Sequence, residues 1–315
     1  MVRQSLGMVC GQHLVQIAKR NTDIVALEAD LKESTQSVYF QKAFPSRYIE
    51  CGIAEQNMVG IAAGLALTGK IPVVHSFACF ISMRACEQVR TSVAYPNLNV
   101  KFMVTHGGIS TGSAGTTHHA TEDIAIMRAI AGMTVLVPGD AREACQALDA
   151  ALTHQGPVYI RLGAGEVEDV YKEADRFAIG KATLLREGDD ACIITTGAMM
   201  ACGVCAADEL HVKHGIRARV LQMASVKPID VDAVQKAARE TPCIVTVEEH
   251  NIIGGLGGAV AEIVSGVGHA RLIRLGIGDR FCGIGSYSEL LRIEGLSVLN
   301  IVESVIKSLQ HAQIN

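Results

Sequence analysis

The chain has 315 residues, of which 49% are apolar and 19% are charged, and its formal net charge is −4. This composition excludes an intrinsically disordered protein, and the lack of a basic stripe argues against general nucleic-acid binding. The length predicts two domains that can build their cores without disulfides.

Strand-like and helix-like segments alternate along the first half of the chain. The predicted strands are residues 23–27, 72–75, 99–105, 133–137 and 157–162. The predicted helices are residues 5–20, 54–68, 80–94, 121–131 and 141–153, the last with Asp140 as its N-cap. This alternation predicts a mostly parallel sheet with helices on both faces.

A polar, charge-rich stretch precedes a second, smaller α/β unit. Its predicted strands are residues 191–196, 218–223, 243–248 and 270–275, and its predicted helices are residues 198–214, 230–239, 256–265 and 297–311. We interpret residues 1–165 as the first domain, 166–187 as a linker and 188–315 as the second domain. The fold class is therefore α/β in both domains.

A long loop follows the predicted strand 99–105, and ligands of open α/β sheets bind at such carboxyl ends. The loop runs from His106 to His119 and contains glycines, hydroxyls and a third histidine, His118. Imidazoles titrate near neutral pH and suit proton transfer, so the loop favours a functional role. A flexible surface loop is the alternative.

Residues 51–57, with the sequence CGIAEQN, open a glycine-rich apolar helix and place Glu55 in its first turn. The helix dipole alone favours an acidic residue there. The helix is, however, too apolar for the protein surface, and a carboxyl at the mouth of a buried helix can hold a proton at neutral pH. Both interpretations stay open at this point.

Arginine is well suited to binding phosphate, because its planar fork matches the phosphate oxygens. Arg161 ends the predicted strand 157–162, and Arg3 and His106 are further cations at loop positions. A lone arginine is more often a solvated surface residue, so position alone supports this role only weakly.

The cysteines are interpreted as structural. Most of the ten lie inside apolar segments, and Cys202 and Cys205 form a CxxC without a second ligand pair. We therefore expect no metal site on this chain. With neither an apolar signal core nor a run of 18 apolar residues, a reducing cytoplasm is the expected location.

Taken together, the GIAEQN segment, the pair Phe77 and Phe80, and the loop from His106 to His118 resemble the transketolase family. The resemblance covers nearly the whole chain. The first half resembles the pyrimidine-binding domain of thiamine-diphosphate enzymes, and the second half resembles the transketolase C-terminal domain. The chain is similar to the C-terminal half of a transketolase made as a separate subunit.

The resemblance implies cofactor-binding residues. A family glutamate at the position of Glu55 hydrogen-bonds the aminopyrimidine of thiamine diphosphate and activates it, which requires a buried, protonated carboxyl. Phe77 and Phe80 match aromatics that enclose this ring, and Asp30 matches an acid of the same pocket. Met83 stands where the family often has a third aromatic, and methionine can fill that space.

The resemblance also implies substrate-binding residues. Positions that hold the sugar phosphate in the family are matched by Arg3, Ser34, His106 and Arg161. His118 matches a histidine that contacts the reacting hydroxyls and assists proton transfer. Ala114 stands where the family usually has an aspartate that contacts a sugar hydroxyl, so we expect an unusual sugar preference.

One family motif, Gly-Asp-Gly followed by Asn, is missing from this sequence. In the family it binds diphosphate and Mg²⁺, so the resemblance implies a partner N-terminal subunit that supplies both, in an α₂β₂ assembly. The implied reaction transfers a two-carbon ketol unit from a ketose phosphate to an aldose. The alternatives are a deoxyxylulose-phosphate-synthase-like or 2-oxoacid-decarboxylating subunit, and a non-catalytic regulatory paralogue.

Overall fold

This computed structural model describes residues 3–172, 176–268 and 270–312, without the side chains of residues 311 and 312. The strands of these residues form three β-sheets. In chain order the strands are β1 (Arg3–Ser5), β2 (Ile24–Glu28), β3 (Tyr48–Glu50), β4 (Ile71–Phe77), β5 (Lys101–Thr105), β6 (Thr134–Leu136), β7 (Val158–Arg161), β8 (Glu166–Glu168), β9 (Thr183–Arg186), β10 (Ala191–Thr195), β11 (Ala218–Gln222), β12 (Ser225–Lys227), β13 (Cys243–Asn251) and β14 (Arg271–Ile277).

The helices are α1 (Leu6–Ala18), α2 (Lys32–Thr35), α3 (Val38–Ala43), α4 (Glu55–Leu67), α5 (Cys86–Gln88), α6 (Asp123–Ala129), α7 (Ala141–Thr153), α8 (Met199–His214), α9 (Val231–Glu240), α10 (Leu256–Val264), α11 (Tyr287–Ile293) and α12 (Val298–Ala312). The described residues also form 3₁₀ helices at Pro45–Arg47 and Gly112–Ala114, and π-helical turns at Phe80–Arg84 and Val89–Ala94.

Among the described residues, the largest sheet has seven strands in the order β12-β6-β7-β5-β4-β2-β3. Its strand pairs are parallel except β12 with β6. Strands β2 and β5 are buried along their whole length, as expected for parallel strands covered on both faces. Residues such as Leu14 of α1 and Leu148 of α7 cover one face, and Met58 of α4 and Val89 cover the other.

The second sheet, as far as the structure describes it, has five strands in the order β14-β13-β10-β11-β9. Only its edge strand β9 is antiparallel to its neighbour. Helices α8 and α12 pack on one face through Leu210 and Val305, and α9 and α10 pack on the other through Val234 and Val260. Strands β1 and β8 pair antiparallel in a separate small ribbon.

Each long predicted element has a counterpart whose ends lie within three residues of the prediction. Asp140 does cap α7, because its side chain accepts a hydrogen bond from the backbone N–H of Glu143. The predicted helix 80–94 is not a continuous α-helix. It consists of the short α-helix α5 between two π-helical turns.

Several short elements were not predicted. Strands β8 and β9 lie within residues 166–187, which we interpreted as a linker, so the second sheet begins at Thr183. Residues 173–175 of that segment lie outside the described residues. Within the described part of the chain, no helix combines the length and apolar character needed to cross a bilayer.

Candidate functional site

The carboxyl ends of three neighbouring strands, β2, β4 and β5, form the floor of the candidate site. Asp30 follows β2, Phe77 ends β4 and His106 follows β5. Asp30 and His106 have positive φ angles of 60° and 61°, a conformation that non-glycine residues rarely adopt. The backbone therefore turns sharply at the two positions where these strands meet the site.

Four rings pack together at this edge of the sheet. Phe77 and Phe80 are stacked with centroids 5.6 Å apart, and His106 stacks on Phe77 at 3.7 Å. His118 contacts Phe77 and Phe80 edge-on, at 6.2 and 5.6 Å. The loop 106–119 thus returns to the strand end from which it starts, and both of these predicted histidines lie beside the two predicted aromatics.

His106 is a neutral group near pH 7. Burial, with a smaller effect of nearby His118, lowers the pKa of His106 to about 4. Its Nδ1 lies 2.8 Å from the hydroxyl of Thr105. A neutral imidazole can still donate a hydrogen bond to a phosphate, so the predicted role of His106 in holding one stays a prediction.

Glu55 begins α4 and is 1% exposed, as expected for a buried carboxyl. Its oxygens Oε1 and Oε2 both lie 2.8 Å from Nη1 of Arg84. The guanidinium carbon of Arg84 in turn lies 4.4 Å from the centroid of the Phe80 ring. Glu55 is therefore one half of an ion pair here, whereas the resemblance implies a protonated carboxyl when Glu55 activates the cofactor.

A cavity of about 610 Å³ opens beside this pair, between the two domains. Phe80, Met83 and Arg84 line it from the helical turn, and Phe281 and Cys282 line it from the second domain. The hydroxyl of Thr116, in the histidine loop, donates a 2.6 Å hydrogen bond to the carbonyl of Cys282. The loop and the second domain therefore build one wall together.

His119 also lines the cavity and is 5% exposed. Neither of its ring nitrogens has a hydrogen-bond partner among the described residues, and burial lowers its pKa. A buried polar group without a partner is unfavourable, so the ring is available to a bound molecule. His119 was recognised in the sequence only as the end of the loop and was not predicted as a site residue.

Several predicted residues lie apart from this cavity. Arg3 is 65% exposed and pairs with Glu168 of β8 at 2.9 Å. Ser34 is exposed on α2, and Ala114 is exposed in the 3₁₀ helix Gly112–Ala114. Asp30 is exposed too, and its backbone N–H donates to Glu50.

Arg161, predicted to hold a substrate phosphate, makes its hydrogen bonds within the protein, and the phosphate role stays a prediction. It is 6% exposed, and its Nε donates to Oδ2 of Asp123 at 2.8 Å. Its Nη2 donates to the backbone carbonyls of Ala120 and Glu249, at 3.0 and 2.9 Å. Because β13 of the second domain covers this strand end, the guanidinium joins the two domains.

The site residues that were not predicted from the sequence contact residues that are distant along the chain. Arg84 lies 29 residues from Glu55, and Phe281 lies far from the loop whose cavity it lines. The only local signal for Arg84 was its place four residues after Phe80. No group of three or more His, Cys, Asp or Glu that could hold a metal occurs within the described residues.

Similarity to known proteins identifies the family of this chain. The family models described as the transketolase pyrimidine binding domain and the transketolase C-terminal domain match residues 3–168 and 180–301. The chain is 44% identical to the 6-deoxy-6-sulfo-D-fructose transketolase subunit SqwH of Clostridium sp. (strain MSTE9), covering 92% of this chain and 90% of that protein. It is also 44% identical to an apulose-4-phosphate transketolase subunit of Phocaeicola vulgatus, covering 80% of this chain and 81% of that protein.

A solved structure, a split gene transketolase in an inactive β4 tetramer, superposes with a TM-score of 0.88 at 42% identity. The superposition covers 97% of this chain and 98% of that chain. The two family models match in the order expected of a transketolase, and the fold is that of a split transketolase subunit. The chain therefore belongs to the transketolase family.

Proposed function

We propose that the chain is the C-terminal subunit of a two-chain transketolase that uses thiamine diphosphate. It transfers a two-carbon ketol unit from a ketose phosphate to an aldose. The observation that carries this proposal is the position of Glu55, a buried carboxylate close to the face of the Phe80 ring. One flat group, the guanidinium of Arg84, already touches both of them.

The residues present fit the aminopyrimidine of the cofactor. A guanidinium is planar, carries nitrogen atoms along its edge and stacks on aromatic rings. An aminopyrimidine shares this shape and this arrangement of nitrogen atoms. A site that holds the first group between a carboxylate and a phenyl ring therefore has the right chemistry for the second.

Each of the predicted site residues discussed below would have a defined role in the reaction. When bound, thiamine diphosphate supplies the carbon nucleophile that carries the ketol unit. Glu55 would hold a proton on one carboxyl oxygen and share it with a ring nitrogen. Phe77 and Phe80 would orient the ring and exclude water. His118, which packs against both phenyl rings, would move a proton at the substrate hydroxyl.

We propose that a partner N-terminal subunit holds the diphosphate and Mg²⁺, in an α₂β₂ assembly. The resemblance of this chain to transketolase subunits over most of their length supports this arrangement. Titration calorimetry with thiamine diphosphate and Mg²⁺ tests it. We expect weak or no binding by this chain alone and binding by the mixture with the partner, and micromolar binding by this chain alone would contradict the proposal.

We further propose that the substrate is an unusual sugar phosphate or a sugar with another anionic group. Ala114 carries this idea, because alanine offers no hydrogen bond where the family usually has an aspartate. The names of two relatives refer to transketolases for a sulfonated fructose and for apulose 4-phosphate, which agrees with this direction.

The test is kcat/KM of the two-chain enzyme for a panel of ketose and aldose phosphates, with wild type, Ala114→Asp and Ser113→Asp. Ser113 is the adjacent exposed residue, so its variant adds the same charge one position away. We expect only Ala114→Asp to shift the preference. Carbon dioxide release from pyruvate would instead support the decarboxylating alternative.

We also propose that the protein works in the cytoplasm. All ten cysteines lie within the described residues and are free thiols. Free thiols are usual in a reducing compartment. A fluorescent fusion expressed in its own host tests this location.

A further inference from the structure

Arg84 occupies a defined position relative to the candidate site. It ends the π-helical turn Phe80–Arg84, and its side chain is 46% exposed. One nitrogen, Nη1, lies 2.8 Å from each oxygen of Glu55, and the guanidinium lies 4.4 Å from the Phe80 ring centroid. The guanidinium is thus held by a charge and by a ring face at once.

These two contact surfaces are the ones that the proposed function assigns to the aminopyrimidine. A ring stacked on Phe80 and hydrogen-bonded to Glu55 cannot be present while Arg84 holds both. On the basis of the proposed function, we propose that Arg84 is an internal occupant of the cofactor's ring position. The cofactor displaces it on binding, so Arg84 sets the affinity for the cofactor.

The ion pair stabilises the buried carboxylate of Glu55 when no cofactor is bound. Glu55 is 1% exposed, and a buried carboxylate without a partner destabilises a protein strongly. Arg84 provides the partner, and because half of its side chain reaches solvent, its head can leave without unfolding the helical turn. Glu122 lies on the wall of the cavity that Arg84 also lines, and it offers a second carboxylate to the displaced guanidinium.

The apparent affinity equals the intrinsic affinity multiplied by the fraction of molecules in which the ring position is free, so occupancy of that position by Arg84 lowers the apparent affinity. The first test measures thiamine diphosphate affinity, in the presence of Mg²⁺, for the complex of this chain with its partner. It compares wild type with Arg84→Met and Arg84→Ala. Arg142→Met removes the same charge from the exposed surface of α7 and is the matched control.

We expect both Arg84 variants to bind the cofactor on the order of 10-fold more tightly than wild type, and Arg142→Met to bind like wild type. Unchanged or weaker binding by the Arg84 variants, with normal binding by wild type, would overturn the role of Arg84 and leave the proposed function intact. No binding by any version would overturn both.

The second test needs neither cofactor nor partner. Thermal unfolding of the chain alone is measured for Glu55→Gln, Arg84→Met and the double variant. If the ion pair forms in solution, the two changes are not additive, and the double variant has a higher Tm than the sum of the single losses predicts. Additive losses would show that Arg84 does not hold Glu55, and the proposal would then be wrong.

Discussion

The guanidinium of Arg161 is bonded to both domains. Its loss would leave Asp123, which is 0% exposed, as a buried charge without its cation. We therefore expect Arg161→Ala to lower the free energy of unfolding by about 3–5 kcal/mol, measured by urea denaturation.

Arg3 is the matched control for this change, since its pair with Glu168 is exposed. Arg3→Ala should lower the free energy of unfolding by about 0–1 kcal/mol. Equal losses for the two variants would mean that Arg161 is not an interdomain residue in solution.

Glu55 is the residue on which the proposed reaction depends. Glu55→Gln keeps the shape of the side chain but cannot hold the proton that the proposed role requires. Activity of the two-chain enzyme should fall on the order of 10²-fold or more, while the far-ultraviolet circular dichroism stays that of wild type. Glu87→Gln, at an exposed position of α5, should keep full activity. A near wild-type rate for Glu55→Gln would leave Glu55 only a helix-dipole role.

His75 of β4 is fully buried, and neither ring nitrogen has a partner among the described residues. Burial lowers the pKa of His75 to about 3, below its ordinary value of 6.5. Between these pH values the unfolded chain binds more protons than the folded one, so acid removes stability.

His75→Leu removes the titrating imidazole and therefore its contribution to the loss of stability in acid. Between pH 7 and pH 5 the variant should therefore lose about 2 kcal/mol less of its free energy of unfolding than wild type does. Urea denaturation at both pH values measures the difference, and parallel losses in the two proteins would contradict the burial of His75.

The loop that follows β5 brings the two domains into contact. Gly108 has a φ of +67°, and a Cβ added there would overlap Oε1 of Glu249 in β13. Gly52 has the same φ of +67° but has nothing within 4 Å of its added Cβ. The two glycines therefore have the same φ, but only Gly108 has a neighbouring side chain that an added Cβ would meet.

Gly52→Ala should destabilise the protein by about 1–2 kcal/mol, through backbone strain alone. Gly108→Ala should lose about 1–3 kcal/mol more, because the methyl group overlaps a buried carboxylate. Equal losses in urea denaturation would show that the loop does not contact Glu249 in solution.

Periodicity along the chain was enough to predict the long elements but missed several of the short ones. Strands β8 and β12 have three residues each, and they are strands only because distant segments offer them an edge. The π-helical turn Phe80–Arg84 has nearly the same pattern of apolar residues as an α-helix, so the prediction of a helix over 80–94 could not distinguish them.

The candidate site was predictable only as far as a resemblance could place residues on strand ends. Phe77, Phe80 and His106 come together because each lies at or just beyond the carboxyl end of β4 or β5, and the loop 106–119 brings His118 back to them. The pairing of Arg84 with Glu55 and the burial of Arg161 depend on tertiary contacts that leave no local pattern. The catalytic and binding roles of these residues stay predictions.

Across the whole molecule, buried polar groups connect the two domains. Glu249 accepts hydrogen bonds from the backbone N–H of Ile109 at 2.6 Å and from the hydroxyl of Tyr287 at 2.7 Å. Gln222 of β11 donates to Glu143 of α7 at 2.8 Å. Because these bonds are shielded from water, the domains are expected to unfold together, in a single transition.

Strand β12 belongs to the second half of the chain, yet it completes the edge of the first sheet beside β6. Lys227, at its end, donates to the carbonyl of Arg128 at 2.8 Å, which fastens the strand to α6. A fragment that ends at residue 168 would therefore expose the backbone of β6 to other molecules, and bare strand edges promote aggregation. The first sheet therefore depends on a strand from the second half of the chain, and a cut between the two matched domains is expected to leave the first half prone to aggregation.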